Sequence, residues 1–215
     1  MSSVNSVERS LREQFIDSAY EHILLNTSLL TELDIAIGDG DHGRNMERGM
    51  TALRNNKNGI IGLSFPEFCK EVARILVMNI GGASGPLYAA LVSAFGDDVD
   101  YFPTSRIELA LMLDNSVRAV KKRGKSYYGC KTILDVLVPF SEAIRFSKIH
   151  DHQEAIDFAM AAAENTKPMV ALKGRAAMLG KRSIGTIDPG AMSLAVLIRS
   201  ICNVYRENEC QMSQL

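Results

Sequence analysis

Ahead of three apolar stretches a residue that caps helices is followed three positions later by glutamate: Asn5 and Glu8, Ser64 and Glu67, Ser105 and Glu108. Each pair can satisfy orphan backbone donors reciprocally at a helix start. Each also opens a stretch with apolar residues at helical spacing: Val7, Leu11 and Phe15, then Phe68, Val72, Ile75 and Leu76, then Ile107, Leu111 and Val120. Further helices are expected at about 14–26, 43–56, 86–97, 131–147, 152–165, 168–179 and 190–206. Pro86, Pro168 and Pro189 sit where a first turn tolerates proline, and Pro139 is expected to kink its helix. No run of β-branched residues bounded by turn signals recurs between these segments, so an alternating βαβ order is excluded and the chain reads as all-α. Ala191 to Tyr205 is apolar on more than one face, which predicts a central helix, and the polar stretch 206–215 is expected to fray.

With 215 residues, a net charge of −1 and 47% hydrophobic residues, the whole chain is expected to form one domain around its own core. The balanced charge argues against nucleic acid or an anionic membrane surface as partner. The longest apolar segment is interrupted by Arg199, and the first residues lack an apolar signal core. The expectation is a cytoplasmic protein that does not span a membrane. Cys69, Cys130, Cys202 and Cys210 show no CxxC pairing, so they read as reduced thiols, and zinc is disfavoured.

Glycine gathers where helices should begin. The first such loop, Leu33 to Met46, contains Gly38-x-Gly40-x-x-Gly43, a dinucleotide-binding spacing. Asp39 and Asp41 would stand where a pyrophosphate must approach bare amides, and no βαβ unit follows, so that reading is rejected. Asp34, Asp39 and Asp41 instead fit a shared hard cation, because carboxylates about 4 Å apart repel by roughly 4 kcal/mol at an effective dielectric near 20. Gly43 and Met50 stand where an EF-hand needs oxygen ligands, which favours Mg²⁺ holding substrate phosphates over caged Ca²⁺. A solvated acidic loop with Asp41 capping the next helix fits the same residues. His42, between acids and glycine, reads either as part of the site or as a helix-start residue, whereas His22, His150 and His152 read as structural or surface residues.

Gly81-Gly82-Ala83-Ser84-Gly85-Pro86 opens a helix and can offer amides and a dipole to phosphate, or can simply be a tight turn. Gly124 and Gly129 have P-loop spacing, but Cys130 displaces the Lys131-Thr132 pair by one residue and no strand precedes, so the P-loop is rejected while Thr132 keeps a hydroxyl for phosphate. Arg175, Lys181 and Arg182 lie among glycines, as a phosphate grip or a solvated basic face, and Asp188 before Pro189 reads as an N-cap. No covalent hydrolase signature is present, and no catalytic nucleophile or base is assigned.

Together, Asp34-x4-Asp39-x-Asp41-His42-Gly43-x-Asn45-Met46, Gly81 to Leu87, Gly129-x-Lys131-Thr132 and Lys173-Gly174-Arg175 through Asp188-Pro189-Gly190 closely resemble the nucleotide-binding L subunit family of dihydroxyacetone kinases, over roughly residues 7–205. The resemblance implies a barrel of about eight antiparallel amphipathic helices with the nucleotide site at one end. It implies ADP or ATP with two Mg²⁺ ions on Asp34, Asp39 and Asp41. It places His42, Gly43, Arg44, Asn45, Ala83, Ser84, Gly124, Thr132, Ile133, Arg175, Asp188, Pro189 and Gly190 at the nucleotide. Cys130 departs from the family's usual acid, and Ile133 from its usual Met. The implied activity is transfer of a phosphoryl group to dihydroxyacetone on a separate K subunit, with ADP retained and rephosphorylated by a phosphotransferase-system protein. An ATP-exchanging kinase for another small ketose and a nucleotide-loaded regulatory module are the alternatives. The acceptor sugar and the oligomeric state, a homodimer included, are left open.

Overall fold

The computed structural model describes residues 6–97, 99 and 101–212, the last four as backbone only. Eight α-helices follow one another: α1 (Ser6–Ile37), α2 (His42–Ile60), α3 (Phe65–Asn79), α4 (Ser84–Phe95), α5 (Arg106–Gly124), α6 (Leu134–Arg145), α7 (His152–Glu164) and α8 (Pro189–Met212). A nine-residue 3₁₀ segment, Arg175–Ser183, lies between α7 and α8. Each helix packs on the next, and α8 packs back on α1, closing the ring. Four-residue links join α1 to α2, α2 to α3 and α3 to α4, too short for anything but reversal, so neighbouring staves run antiparallel. One end of the barrel therefore collects the C-termini of α1, α3, α5 and α7 and the N-termini of α2, α4, α6 and α8.

The caps explain where several helices begin. Ser64 with Glu67 and Ser105 with Glu108 form capping boxes at α3 and α5, and Asp151 accepts the Glu154 amide at α7 (2.8 Å). The Asn5 cap lies outside the described residues. Asp188 accepts the Ala191 amide at 2.7 Å to start α8. The core runs the length of the ring through fully buried residues such as Ile23, Leu30, Met46, Val120, Leu134 and Val196.

Several sequence expectations are corrected. α1 continues unbroken through the region read as a loop, because Leu30, Asp34 and Ile37 form one buried helical face. Val7, Ile107 and Leu111 are exposed; the buried stripe of α5 is shifted to Ala110, Leu113, Val117 and Val120. Residues 168–174 are not helical, and the 3₁₀ segment that follows is broken at Gly180, which has φ 54°. α6 begins at Leu134 rather than at 131, and Pro139 lies inside it. α8 is a stave rather than a hub: residues 191–196 are enclosed, whereas Ile201 is exposed. The helix also continues to Met212, over part of the stretch expected to fray. Cys69, Cys130 and Cys202 are buried free thiols, and burial pushes Cys69 up to about 12 and Cys202 up to about 11. No described helix is long and apolar enough to cross a membrane.

Candidate functional site

At the end where four helices start, a cavity opens between the α1–α2 link, the α3–α4 link, the start of α6 and the segment leading into α8. Asp34, on the last turn of α1, uses one carboxylate oxygen to accept the amides of Asp41 (2.9 Å) and His42 (3.1 Å). Asp34, not Asp41, therefore caps α2, and the Asp41 side chain makes no cap bond. Gly38 is what lets the chain turn over that carboxylate: a methyl group there would lie 2.1 Å from Asp34 Oδ1.

The turn brings Asp34, Asp39 and Asp41 together, with one ligand oxygen from each within 4.8 Å of the others. Three converging carboxylates form the hard oxygen donor set that Mg²⁺ prefers, so the residues fit the ion. Arg175 Nη1 reaches Asp39 at 2.6 Å from across the mouth and offsets part of their repulsion.

Facing the acids is the α4 start. Among the described residues, no side chain accepts from the first amides of this helix, whose N-cap is Ala83. The other three helix starts at this end are served, α2 by Asp34, α6 by Thr132 and Asp135, and α8 by Asp188. Unclaimed amides at a helix N-terminus are an anion site.

His42 is buried and joins three helices: Nδ1 lies 3.1 Å from Ser84 Oγ and Nε2 2.9 Å from Ser193 Oγ. Tyr88 OH also meets Ser193 Oγ, at 2.7 Å. Ser193 Oγ also lies 3.0 Å from the Gly190 carbonyl, so one hydroxyl ties the starts of α2, α4 and α8 together. Both imidazole nitrogens are thereby engaged, one by each serine. Burial holds the imidazole below its usual pKa despite the nearby Asp34 and Asp41.

Asp188 stands on the cavity floor, where burial, aided by the charges of Asp135 and Asp34, pushes it up to about 7 against the Ala191 amide and Lys131.

Of the residues expected at the site, Asp34, Asp39, Asp41 and His42 line this cavity, as do Ala83, Ser84, Thr132 and Ile133, and Arg175, Asp188, Pro189 and Gly190. The others do not. Gly43 is the crossing point of α1 and α2, where a methyl would sit 2.2 Å from the Thr27 carbonyl. Arg44 points into a separate shallow groove along α2. Buried Asn45 accepts from Arg48 (2.9 Å) and abuts Gly81, so it supports the α3–α4 link from behind. Gly124 lies behind Leu87, which itself lines the cavity. Cys130 is fully buried, whereas Ile133 forms part of the cavity wall. Sequence reasoning missed Tyr88 and Ser193; a lone serine inside the apolar run of α8, and a tyrosine four residues after Ser84, are the signals that could have found them.

The DAK2 domain family profile matches residues 36–203. The chain is 38% identical, over 84% of its length and 89% of the relative's, to the PEP-dependent dihydroxyacetone kinase 1 ADP-binding subunit DhaL of Listeria innocua. It is 38% identical, over 86% and 91%, to the PTS-dependent dihydroxyacetone kinase ADP-binding subunit DhaL of Lactococcus lactis. Its fold is similar to the dihydroxyacetone kinase of C. freundii solved with AMP-PNP and Mg²⁺, with a TM-score of 0.68 at 22% identity over 94% of this chain. The chain spans 34% of that longer polypeptide.

Proposed function

The chain belongs to the DAK2 domain family, and from that premise we propose that it is the ADP/ATP-binding subunit of a dihydroxyacetone kinase, presenting a phosphoryl group to dihydroxyacetone held on a separate K subunit. The observation that carries this is the pairing, across one cavity, of a three-carboxylate cluster with a helix start whose amides are unclaimed. A polyphosphate needs both.

Asp34, Asp39 and Asp41 would hold two Mg²⁺ ions, which neutralise charge on the polyphosphate oxygens and orient the terminal phosphoryl group. The Ala83–Ser84 amides and the α4 dipole receive phosphate oxygens, and Arg175 exchanges Asp39 for phosphate. Ile133 and Leu87 provide an apolar wall for the base. Gly43, Arg44, Asn45 and Gly124 act on this site through the helices and link they support.

His42 has both nitrogens engaged, and no other described histidine reaches the cavity. The base that takes the acceptor's hydroxyl proton belongs, in this reading, to the partner, as suits a phosphoryl-presenting half. In this reading ADP stays bound and is rephosphorylated in the cytoplasm by a phosphotransferase-system donor.

The test is mass spectrometry of nucleotide released from extensively dialysed protein, with magnesium counted on the same sample. Near-stoichiometric ADP is expected, and turnover with the K subunit should require the phosphoenolpyruvate-driven donor chain. Turnover with free ATP alone would replace retained ADP by exchange, and an acceptor panel of dihydroxyacetone and erythrulose fixes the ketose. Asp39→Ala should abolish both magnesium-dependent nucleotide binding and transfer; unchanged transfer would sink the metal assignment.

A further inference from the structure

Lys131 follows the displaced P-loop spacing, and its charge is the natural candidate to meet a phosphate. The structure shows it committed elsewhere. Its side chain is buried, and Nζ sits 2.6 Å from the Ser183 carbonyl, 2.6 Å from the Thr186 carbonyl and 3.2 Å from the Met169 carbonyl. An ammonium has three hydrogens, and three carbonyls take them all.

The backbone at Lys131 is left-handed, with φ 60°, a conformation that non-glycine residues adopt only when their surroundings enforce it. Here Asp135 enforces it by accepting the amides of Gly129 (2.6 Å) and Thr132 (2.7 Å). The carbonyl of Cys130 accepts the Leu172 amide at 3.0 Å.

The three carbonyls come from Met169 before the 3₁₀ segment, from its last residue Ser183 and from Thr186 just after it, and the segment is otherwise tied by Ser183 Oγ to the Ala171 amide (2.9 Å) and the Gly180 carbonyl (2.7 Å). Lys131 thus closes the base of a loop whose tip carries Arg175 over the acidic cluster.

We propose that Lys131 is a positioning residue: seated on the carbonyls of Met169, Ser183 and Thr186, it clasps the 166–187 strap so that Arg175 is held over the metal-binding carboxylates, and it does not itself contact phosphate. The role of Arg175 toward nucleotide rests on the function proposed above, whereas the clasp does not.

The experiment therefore has two arms. On ligand-free protein labelled with ¹⁵N-lysine, one Nζ ammonium resonance should be protected from solvent and absent in Lys131→Met. Hydrogen exchange should accelerate about tenfold in peptides covering 168–187 of that variant and stay level elsewhere. No protected ammonium in the unmodified protein overturns the clasp even if the variant fails to fold, and so does unchanged strap exchange.

In the second arm, Mg-ADP affinity is measured in a double-mutant cycle. Lys131→Met and Arg175→Ala should each weaken binding about tenfold, and the double variant no more than either. Additive losses, or an Nζ resonance that shifts strongly only when nucleotide binds, would make Lys131 a direct phosphate ligand. If the unmodified protein binds no Mg-ADP, the nucleotide reading falls while the first arm still decides the clasp.

Discussion

Asp34 has two duties that substitution can separate, since one oxygen caps α2 while the carboxylate also joins the cluster with Asp39 and Asp41. Asn at this position keeps an acceptor for the cap but removes the charge, whereas Ala removes both. Denaturant unfolding should find Asp34→Ala about 1 kcal/mol less stable than Asp34→Asn, with magnesium-dependent nucleotide binding lost in both. Asp188 gives a pH signature of its own. Because its folded pKa is raised to about 7 from 3.8, the folded chain keeps a proton that the unfolded chain has released. The Asp188 contribution to stability therefore falls as pH rises from about 4 to 7 and is level above. Asp188→Asn removes the effect, so its stability advantage over the unmodified protein should grow by about 2 kcal/mol between pH 5 and pH 7 in urea titrations. A gap that is flat with pH would mean that Asp188 is ionised throughout.

At the scale of helices, the α1–α2 crossing is set by the absence of a side chain at Gly43. Gly43→Ala should push the two helices apart and cost about 1–3 kcal/mol in unfolding experiments, with affinity for Mg-ADP falling because Asp34 and the 38–41 turn shift together. Caps written in the sequence located the starts of α3, α5 and α8, since a cap is a local device that needs only neighbouring residues. The end of α1 was not legible in the same way. Leu33, Ile35 and Ile37 alternate like a strand, yet Ile35 is exposed and Leu30, Asp34 and Ile37 share the buried face, a choice made by packing against α2 and the 3₁₀ segment. The acids and glycine loops were readable because their chemistry is borne by residue type. The roles of Tyr88 and Ser193 were not, because their partners lie 105 positions apart in the chain and meet only once the ring closes.

For the molecule as a whole, an even number of staves makes the ring antiparallel all the way round, including the seam between α1 and α8. The start of α1 and the end of α8 lie together, Gln14 accepting from Asn208 at 2.8 Å, at the end away from the cavity. The α6–α7 link, residues 146–151, is at that same end. A circular permutant that joins the termini and opens at this link should fold and bind Mg-ADP within a few-fold of the parent, as isothermal titration would show. Opening the chain at 38–41 instead should destroy binding, because that cut severs the acidic turn. The seam has a consequence for how such a body is inherited: with the start of α1 and the end of α8 both on the side away from the cavity, a further domain joined beyond either helix would leave the working face clear.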